Sequence, residues 1–387
     1  MITSMTLRRM ALFLIMPSLL LGVLVMSEGR DFAQEESCDP GFPVSDWSLT
    51  DFCKHGVDYE EIISGGVRKD GIPALDQPKM ESVAQAAEWL NPQSPVIAVE
   101  IDGQARAYPQ ALLIWHEIAN DELAGVPITI TFCPLCNSSI VFDGRVGDEI
   151  LSFGVSGRLR NSDMIMYERQ TESWWQQVTG EGIVGQYTDT LLEIIPSRVM
   201  GFGQFQALYP DGLVMTRDTG YSRDYGSNPY YAYDSNAQPF LFMGELDSRL
   251  FPVERVLAGE IDGQAIAYPF TRLAEEKVIN DQIGDQAVVA FWQTGVASAL
   301  DASQIDASVD IGTAGLYQRE LDGINLNFEI DADGRIMDQE TGSEWNGFGM
   351  AIAGELAGEQ LEILTFAPHF WFAWAAFQPD TLIYGQE

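Results

Sequence analysis

Apolar and polar residues alternate in short runs along most of the chain, and Gly, Asp and Asn separate the runs. The run Val96–Pro109 (VIAVEIDGQARAYP) alternates on both sides of Asp-Gly and predicts a β-hairpin. Pro109–Ile118 starts with proline and carries apolar residues, which predicts a short helix. Further strands are predicted at Pro127–Phe132, Ser139–Asp143, Leu151–Gly157 and Asp163–Arg169. The pattern indicates an α+β fold that is predominantly antiparallel β.

The same pattern occurs twice in the chain. Val256–Pro269 (VLAGEIDGQAIAYP) repeats the first hairpin, and shorter matches follow it in the same order. We place a first unit at residues 94–217 and a second, degenerate unit at 254–387, and we expect pseudo-two-fold symmetry between them. The Tyr/Asp/Gly-rich linker at 218–253 is interpreted either as a lid or as a connection that packs its tyrosines over the joint between the units.

The N-terminal region has the composition of an export signal. Arg8 and Arg9 precede an apolar run, so residues 1–33 are predicted to be a signal peptide or an uncleaved anchor. Residues 34–93 form a leader segment in which a disulfide between Cys38 and Cys53 is expected. The protein is therefore expected to be periplasmic or extracellular, either free or tethered to a membrane.

The net charge of the protein restricts the kinds of molecule that it could bind. There are 57 Asp and Glu residues against 21 Lys and Arg residues, and the net charge is −36. Such a surface repels phosphate backbones, so we expect no nucleic-acid partner. Contact with a membrane is expected only through the N-terminal anchor.

The first unit contains a cluster of residues that could carry chemistry. His116 lies on the predicted short helix, and Cys133 and Cys136 form a CxxC pair at the end of a predicted strand. We align Glu276, Trp292 and approximately Gly295 with these three residues in the second unit. Since the rest of the pattern is kept there, the repeat does not need the cluster for folding.

Three functions remain open for this cluster. The first is a transition-metal site for copper or zinc with His116, Cys133 and Cys136 as ligands. The second is a thiol-disulfide oxidoreductase that uses the cysteine pair as catalytic residues beside the histidine. The third is a non-catalytic binding module with a structural CxxC disulfide. In the metal site, water or one of three side chains is a further candidate ligand: Glu117, Met164 or Met166.

Other residues restrict which cofactors and ligands the protein could bind. Asn137 follows the CxxC pair where c-type haem attachment needs histidine, and no nucleotide-binding pattern occurs in a convincing context. The segment Phe153–Asp163 is shortened in the second unit and is expected to form a wall of the site or a solvated loop. Within it, Arg158 and Arg160 are candidates for receiving an anion. His369 is expected to be a packed residue.

Four stretches resemble a known family. They are residues 62–73, the block WHEIANDELAGVPITITFCPLCNSS at 115–139, residues 153–185 and the loop RDYGSNPYYAY at 223–233. Together they resemble the prokaryotic "domain of unknown function 3179" family over roughly residues 58–235. The resemblance implies an exported protein whose His and CxxC positions match His116, Cys133 and Cys136, and it implies no reaction.

Overall fold

The computed structural model of the chain describes residues 38–386. The predicted signal peptide or anchor at 1–33 lies outside the described residues. Among the described residues, no helix combines the length and the apolar character needed to cross a membrane. The α-helices are short and lie at α1 Val83–Ala86, α2 Gln110–His116, α3 Phe202–Leu208, α4 Phe270–Glu276 and α5 Trp371–Phe377.

Strands make up most of the regular structure. As far as Met215 they are β1 Ile62–Ser64, β2 Leu75–Asp76, β3 Met80–Ser82, β4 Pro95–Ile101, β5 Gln104–Pro109, β6 Ile118–Leu123, β7 Val126–Cys133, β8 Ser138–Asp143, β9 Arg145–Val146, β10 Glu149–Ile150, β11 Phe153–Arg160, β12 Asp163–Glu168, β13 Trp174–Gln176, β14 Gly182–Val184, β15 Ile194–Ile195, β16 Ser197–Gly201 and β17 Leu213–Met215. The later strands are β18 Arg255–Ile261, β19 Gln264–Pro269, β20 Val278–Ile283, β21 Gln286–Gln293, β22 Thr313–Gln318, β23 Glu320–Leu321, β24 Ile324–Asn325, β25 Phe328–Ile330, β26 Ile336–Asp338, β27 Glu344–Trp345, β28 Ala351–Ala353, β29 Ala367–Phe370 and β30 Leu382–Ile383.

The first half contains three five-stranded sheets. Their strand orders are β1-β11-β12-β13-β14, β15-β8-β7-β6-β2 and β16-β4-β5-β17-β3. The second half contains β25-β26-β27-β28, β20-β21-β22 and β29-β18-β19-β30 in the corresponding places. Most strand pairs are antiparallel, so the predicted predominance of antiparallel sheet is confirmed. The strands at the predicted first hairpin, β4 and β5, meet at Asp102 and Gly103, which both have positive φ as a tight hairpin turn requires.

Individual hydrogen bonds also recur between the halves. Tyr108 donates to Asp121 at 2.7 Å, and Tyr268 donates to Asp281 at 2.9 Å. Asn120 exchanges two hydrogen bonds with the backbone of Phe153, as the corresponding asparagine of the second half does with Phe328. The element order and these bonds repeat together, while the pseudo-two-fold relation and the unit boundaries stay predictions.

The leader segment completes the sheets of the first half. Each of those three sheets has one edge strand from the leader: β1, β2 or β3. The leader also places Trp47 and Phe52 against Trp174, with ring centroids 4.8 and 5.6 Å apart. The expected Cys38–Cys53 disulfide is present and closes the loop that carries both of these aromatic residues.

Removing this disulfide is expected to destabilise the protein. The double variant Cys38→Ala, Cys53→Ala frees a loop with a sequence separation of 15. The unfolded chain then gains conformational entropy, and we expect the free energy of unfolding to fall by about 3 kcal/mol. Urea denaturation of the oxidised protein and the variant measures the difference. Equal denaturation midpoints with equal slopes would contradict a stabilising role for the bond.

Candidate metal centre

The CxxC pair lies in the tight connection between β7 and β8. Cys136 N donates to Cys133 O at 3.2 Å, and Asn137 N donates to Pro134 O at 3.3 Å. Asn137 has φ 49°, a left-handed conformation that asparagine tolerates better than most residues. These consecutive turns bring the two sulfur atoms close together. Both cysteines are free thiols and are buried, with 2% and 0% of their surface exposed.

A third group comes from the hairpin of β11 and β12. Its turn at Asn161–Ser162 has positive φ at both residues, and Ser162 O lies 3.5 Å from Cys136 Sγ. The turn places Asp163 beside the thiols. The two sulfur atoms and a carboxylate oxygen of Asp163 all lie within 4.8 Å of one another, and Asp163 is fully buried. The structure therefore brings two soft donors and one hard donor together in the interior.

The surroundings of Asp163 contain buried polar atoms without partners. Asp163 Oδ2 accepts from Gln176 Nε2 at 2.6 Å and from Val178 N at 3.0 Å. Among the described residues, no protein hydrogen bond satisfies Asp163 Oδ1, Gln176 Oε1, Gln177 Oε1 or Ser138 Oγ. Ser138 lies directly opposite Cys133 in the β7–β8 pairing. Unpaired buried polar atoms are costly, so an ion or water molecules beside Asp163 would satisfy groups that the protein itself leaves unpaired.

Burial determines the protonation of the cluster. Desolvation raises the pKa of the Cys133 thiol, and it raises the pKa of Cys136 still further, with the charge of Asp163 acting in the same direction on both. Desolvation also raises the pKa of Asp163 to about 6. Without a bound cation the cysteines are therefore neutral thiols at pH 7, while Asp163 is mostly ionised.

His116 is not part of the group of three. Its Nδ1 lies 2.7 Å from Pro73 O, and its Nε2 lies 2.7 Å from Tyr225 Oη. Both ring nitrogens therefore have hydrogen-bond partners, and burial lowers the pKa of the imidazole. The next residue, Glu117, ends α2 with φ 59°, and desolvation raises its pKa to about 8. Lys277 has the same backbone conformation in the second half, so this conformation belongs to the repeated fold.

The other candidates have separate contacts. Met164 and Met166 lie on β12 and are buried in the same apolar cluster as the cysteines. Arg158 lies over the Phe42 ring, 4.1 Å from its centroid. Arg160 forms an ion pair with Glu61 at 2.6 Å. The described contacts of the two arginines involve neither cysteine.

The linker and the second half both adjoin the cluster. Tyr233 from the linker belongs to the apolar cluster that contains the cysteines, and burial beside Glu117 and Cys133 raises the pKa of Tyr230. The linker backbone is held by the second half, where Tyr233 N donates to Leu300 O at 3.0 Å. From β29, Phe370 N donates to Cys136 O at 2.8 Å. The tyrosines therefore cover both the cluster and the joint with the second half.

Asp163 is the member of this group of three that the sequence interpretation missed. The feature of the sequence that pointed to this region was the segment Phe153–Asp163. This segment is longer than its counterpart in the second half, because β11 and β12 extend beyond the equivalent strands β25 and β26. The alignment at Cys133 also needs correction. Residue pairing places Gln293 at the end of β21, where Cys133 ends β7, and Trp292 corresponds to Phe132. Residues 294–312 then form a long excursion instead of a CxxC turn.

Comparison with protein families extends the resemblance over both halves. A family model matches residues 69–381, which include the cysteine pair, the linker and most of the second half. Comparison with curated proteins and with solved structures gave no match. The chain belongs to the family described as "Protein of unknown function (DUF3179)".

Proposed function

We propose that the protein is an exported metalloprotein that holds one divalent transition-metal ion, with zinc as the ion that fits best. Cys133, Cys136 and Asp163 are the ligands. The observation that carries the proposal is that the donor atoms of these three residues converge within 4.8 Å in the interior. The Cys38–Cys53 disulfide supports export, because such bonds persist in oxidising compartments.

The spacing of the donor atoms suits a tetrahedral ion. Zn–S bonds of about 2.3 Å place two ligating sulfur atoms about 3.8 Å apart. Donor atoms within 4.8 Å of one another need to move by only about 1 Å to reach this spacing.

Charge and donor type favour zinc over copper. Cu(I) prefers sulfur ligands alone, whereas zinc accepts thiolate and carboxylate together. Two thiolates and the Asp163 carboxylate carry three negative charges, and a divalent ion neutralises two of them. A monovalent ion neutralises only one and leaves more uncompensated charge in an apolar interior.

The same burial argues against the thiol-disulfide alternative. A reactive cysteine needs access to its partner and a lowered pKa, so that the thiolate is present. Cys133 and Cys136 are buried, and their pKa values are raised. Metal binding has no such conflict, because a bound cation displaces the thiol protons.

The unpaired polar atoms indicate how the coordination is completed. Ser138 Oγ and the amide oxygens of Gln176 and Gln177 are buried without partners, Ser138 pairs with Cys133, and Gln176 donates to Asp163, so these oxygen atoms are the candidates for a fourth donor or for holding a water molecule. The site is enclosed by both halves and by the linker. An enclosed site with protein ligands on several elements is typical of a structural ion.

Metal analysis of the mature protein tests the proposal. We expect about one zinc ion per chain. We also expect two free thiols that react with a thiol reagent only when the protein is unfolded in the presence of a chelator. Atomic emission measures the zinc, and a chromogenic thiol reagent measures the cysteines before and after reduction. A reduced protein that takes up neither zinc nor another divalent ion would overturn the proposal. A Cys133–Cys136 disulfide in the purified protein would instead support the oxidoreductase or the structural-disulfide function.

A further inference from the structure

The sheet that contains β4 and β5 and the equivalent sheet that contains β18 and β19 differ in what covers one of their faces. In the first half, α1 lies on the sheet that contains β4 and β16, where Val83 and Ala86 join the apolar cluster of Met200 and Phe205. The sheet of the second half contains the equivalent strands β18 and β29. It ends at β30 and has neither a fifth strand nor a helix from the leader.

A cavity of about 500 Å³ lies on this second face. Its floor is formed by Ala258 of β18 and by His369 of β29, and Trp374 and Phe377 of α5 form one side. The opposite wall comes from the first half and includes Ile140 and Ile195. This volume lies in the range of small-molecule sites, which are mostly apolar with a few polar groups.

His369 packs its ring against Trp374, with the ring centroids 5.1 Å apart, and brings a polar group to the floor of the cavity. It is 1% exposed, and its Nδ1 has no hydrogen-bond partner among the described residues. Burial lowers its pKa to about 3, so the ring is neutral and can accept a hydrogen bond. Strand pairing places His369 opposite Val256 in the second half and Met200 opposite Val96 in the first half. Val256 and Val96 are counterparts in the repeat, so His369 and Met200 occupy equivalent positions. The equivalent position is therefore filled by an apolar side chain where the sheet is covered.

The charges around the cavity have one sign. Three carboxylates line it, from Glu181, Asp189 and Glu260, and no lysine or arginine is among the described lining residues. Arg160 lies 5.3 Å from the ring centroid of Phe377, which lines the cavity, and Glu61 pairs with this arginine at 2.6 Å. Aromatic rings together with carboxylates favour a cationic ligand.

We propose that this cavity binds a small organic ammonium, a molecule with a compact apolar body and one protonated amine. The apolar body packs between Ile140 and Trp374. The ammonium donates a hydrogen bond to the neutral ring of His369 and faces the carboxylate of Glu181. None of the three proposed metal ligands lines this cavity, although Val178, which does line it, donates its N–H to Asp163 at 3.0 Å.

Three probes of the same shape test the ligand class. Isothermal titration of the purified chain uses 2-phenylethylammonium, 2-phenylethanol and phenylacetate, which differ in charge. We expect the ammonium to bind at least about tenfold more tightly than the alcohol, because hydrogen bonds to charged groups are stronger, and we expect no binding of the carboxylate. Equal affinities for all three probes, or no binding of the ammonium at millimolar concentration, would overturn the proposal.

Two variants place the binding in this cavity. His369→Met introduces the residue that the first half carries at the equivalent position, so the variant is expected to fold and to keep its metal. We expect it to bind 2-phenylethylammonium about tenfold more weakly. Glu181→Gln, at the half-exposed rim, removes one charge and is expected to weaken binding by a smaller factor. The matched control Met200→Leu is expected to bind as the wild type does. Unchanged affinity in both cavity variants would contradict the assignment.

Discussion

The variants Cys133→Ser, Cys136→Ser and Asp163→Asn each lose tightly bound zinc, whereas His116→Gln keeps it. This is the result expected if the donors that lie together are the ligands. A structural zinc site supplies about 10–16 kcal/mol of binding free energy from about four ligands. Loss of one ligand is therefore expected to weaken zinc binding by at least about 100-fold. Competition with a chromophoric chelator measures the dissociation constants.

The histidine variant is the discriminating control. His116 is buried, and both of its ring nitrogens lie 2.7 Å from protein oxygens, so His116→Gln is expected to lower stability but not zinc stoichiometry. Thermal unfolding provides a second measurement. Zinc is expected to raise the unfolding temperature of the wild type and of His116→Gln, because a ligand stabilises the state that binds it, and to raise that of Asp163→Asn by less at the same zinc concentration. The opposite pattern would restore His116 as the ligand and remove Asp163.

The local fold could be predicted because its signals are short-range. The hairpin at β4 and β5 follows from alternation around Asp102-Gly103, and α2 begins after Pro109, as predicted. The leader was harder to interpret. Its strands β1, β2 and β3 are two or three residues long, and each pairs with a strand far away in the sequence. Such pairings depend on exposed edges of sheets that already exist, and no local pattern specifies them.

The proximity of the two cysteines could also be predicted from a short-range signal, whereas the position of Asp163 beside them could not. Cys133 and Cys136 are joined by a turn, so their proximity follows from spacing alone. Asp163 reaches them through the β11–β12 hairpin, whose bulge between Val155 and Arg158 shifts the register of the strands. The separation between His116 and the two cysteines likewise depends on tertiary packing. The ring nitrogens of His116 lie against Pro73 O and Tyr225 Oη instead of against the thiols. A ligand set that spans several elements therefore needs the fold before it can be identified.

Glu117→Gln is expected to stabilise the metal-free protein increasingly as the pH rises. Desolvation raises the pKa of Glu117 from 4.5 to about 8, so the folded state keeps a proton on this group that the unfolded state releases. The free energy of unfolding of the wild type therefore falls as the pH rises from 4.5 towards 8, by up to about 1.4 kcal/mol per pH unit. Glutamine has no proton to lose. Its advantage over glutamate is expected to grow by about 2 kcal/mol between pH 5.5 and pH 7.5.

Urea denaturation of both chelator-treated proteins across this range measures the difference. His116 and His369, whose pKa values are lowered by burial in the folded protein, are present in both proteins, so their contributions cancel in the comparison. Lys277→Gln is the matched control: this residue has the same backbone conformation in the second half but is exposed, so its effect is expected to be independent of pH. A constant difference between Glu117→Gln and the wild type would show that Glu117 is ionised in the folded protein.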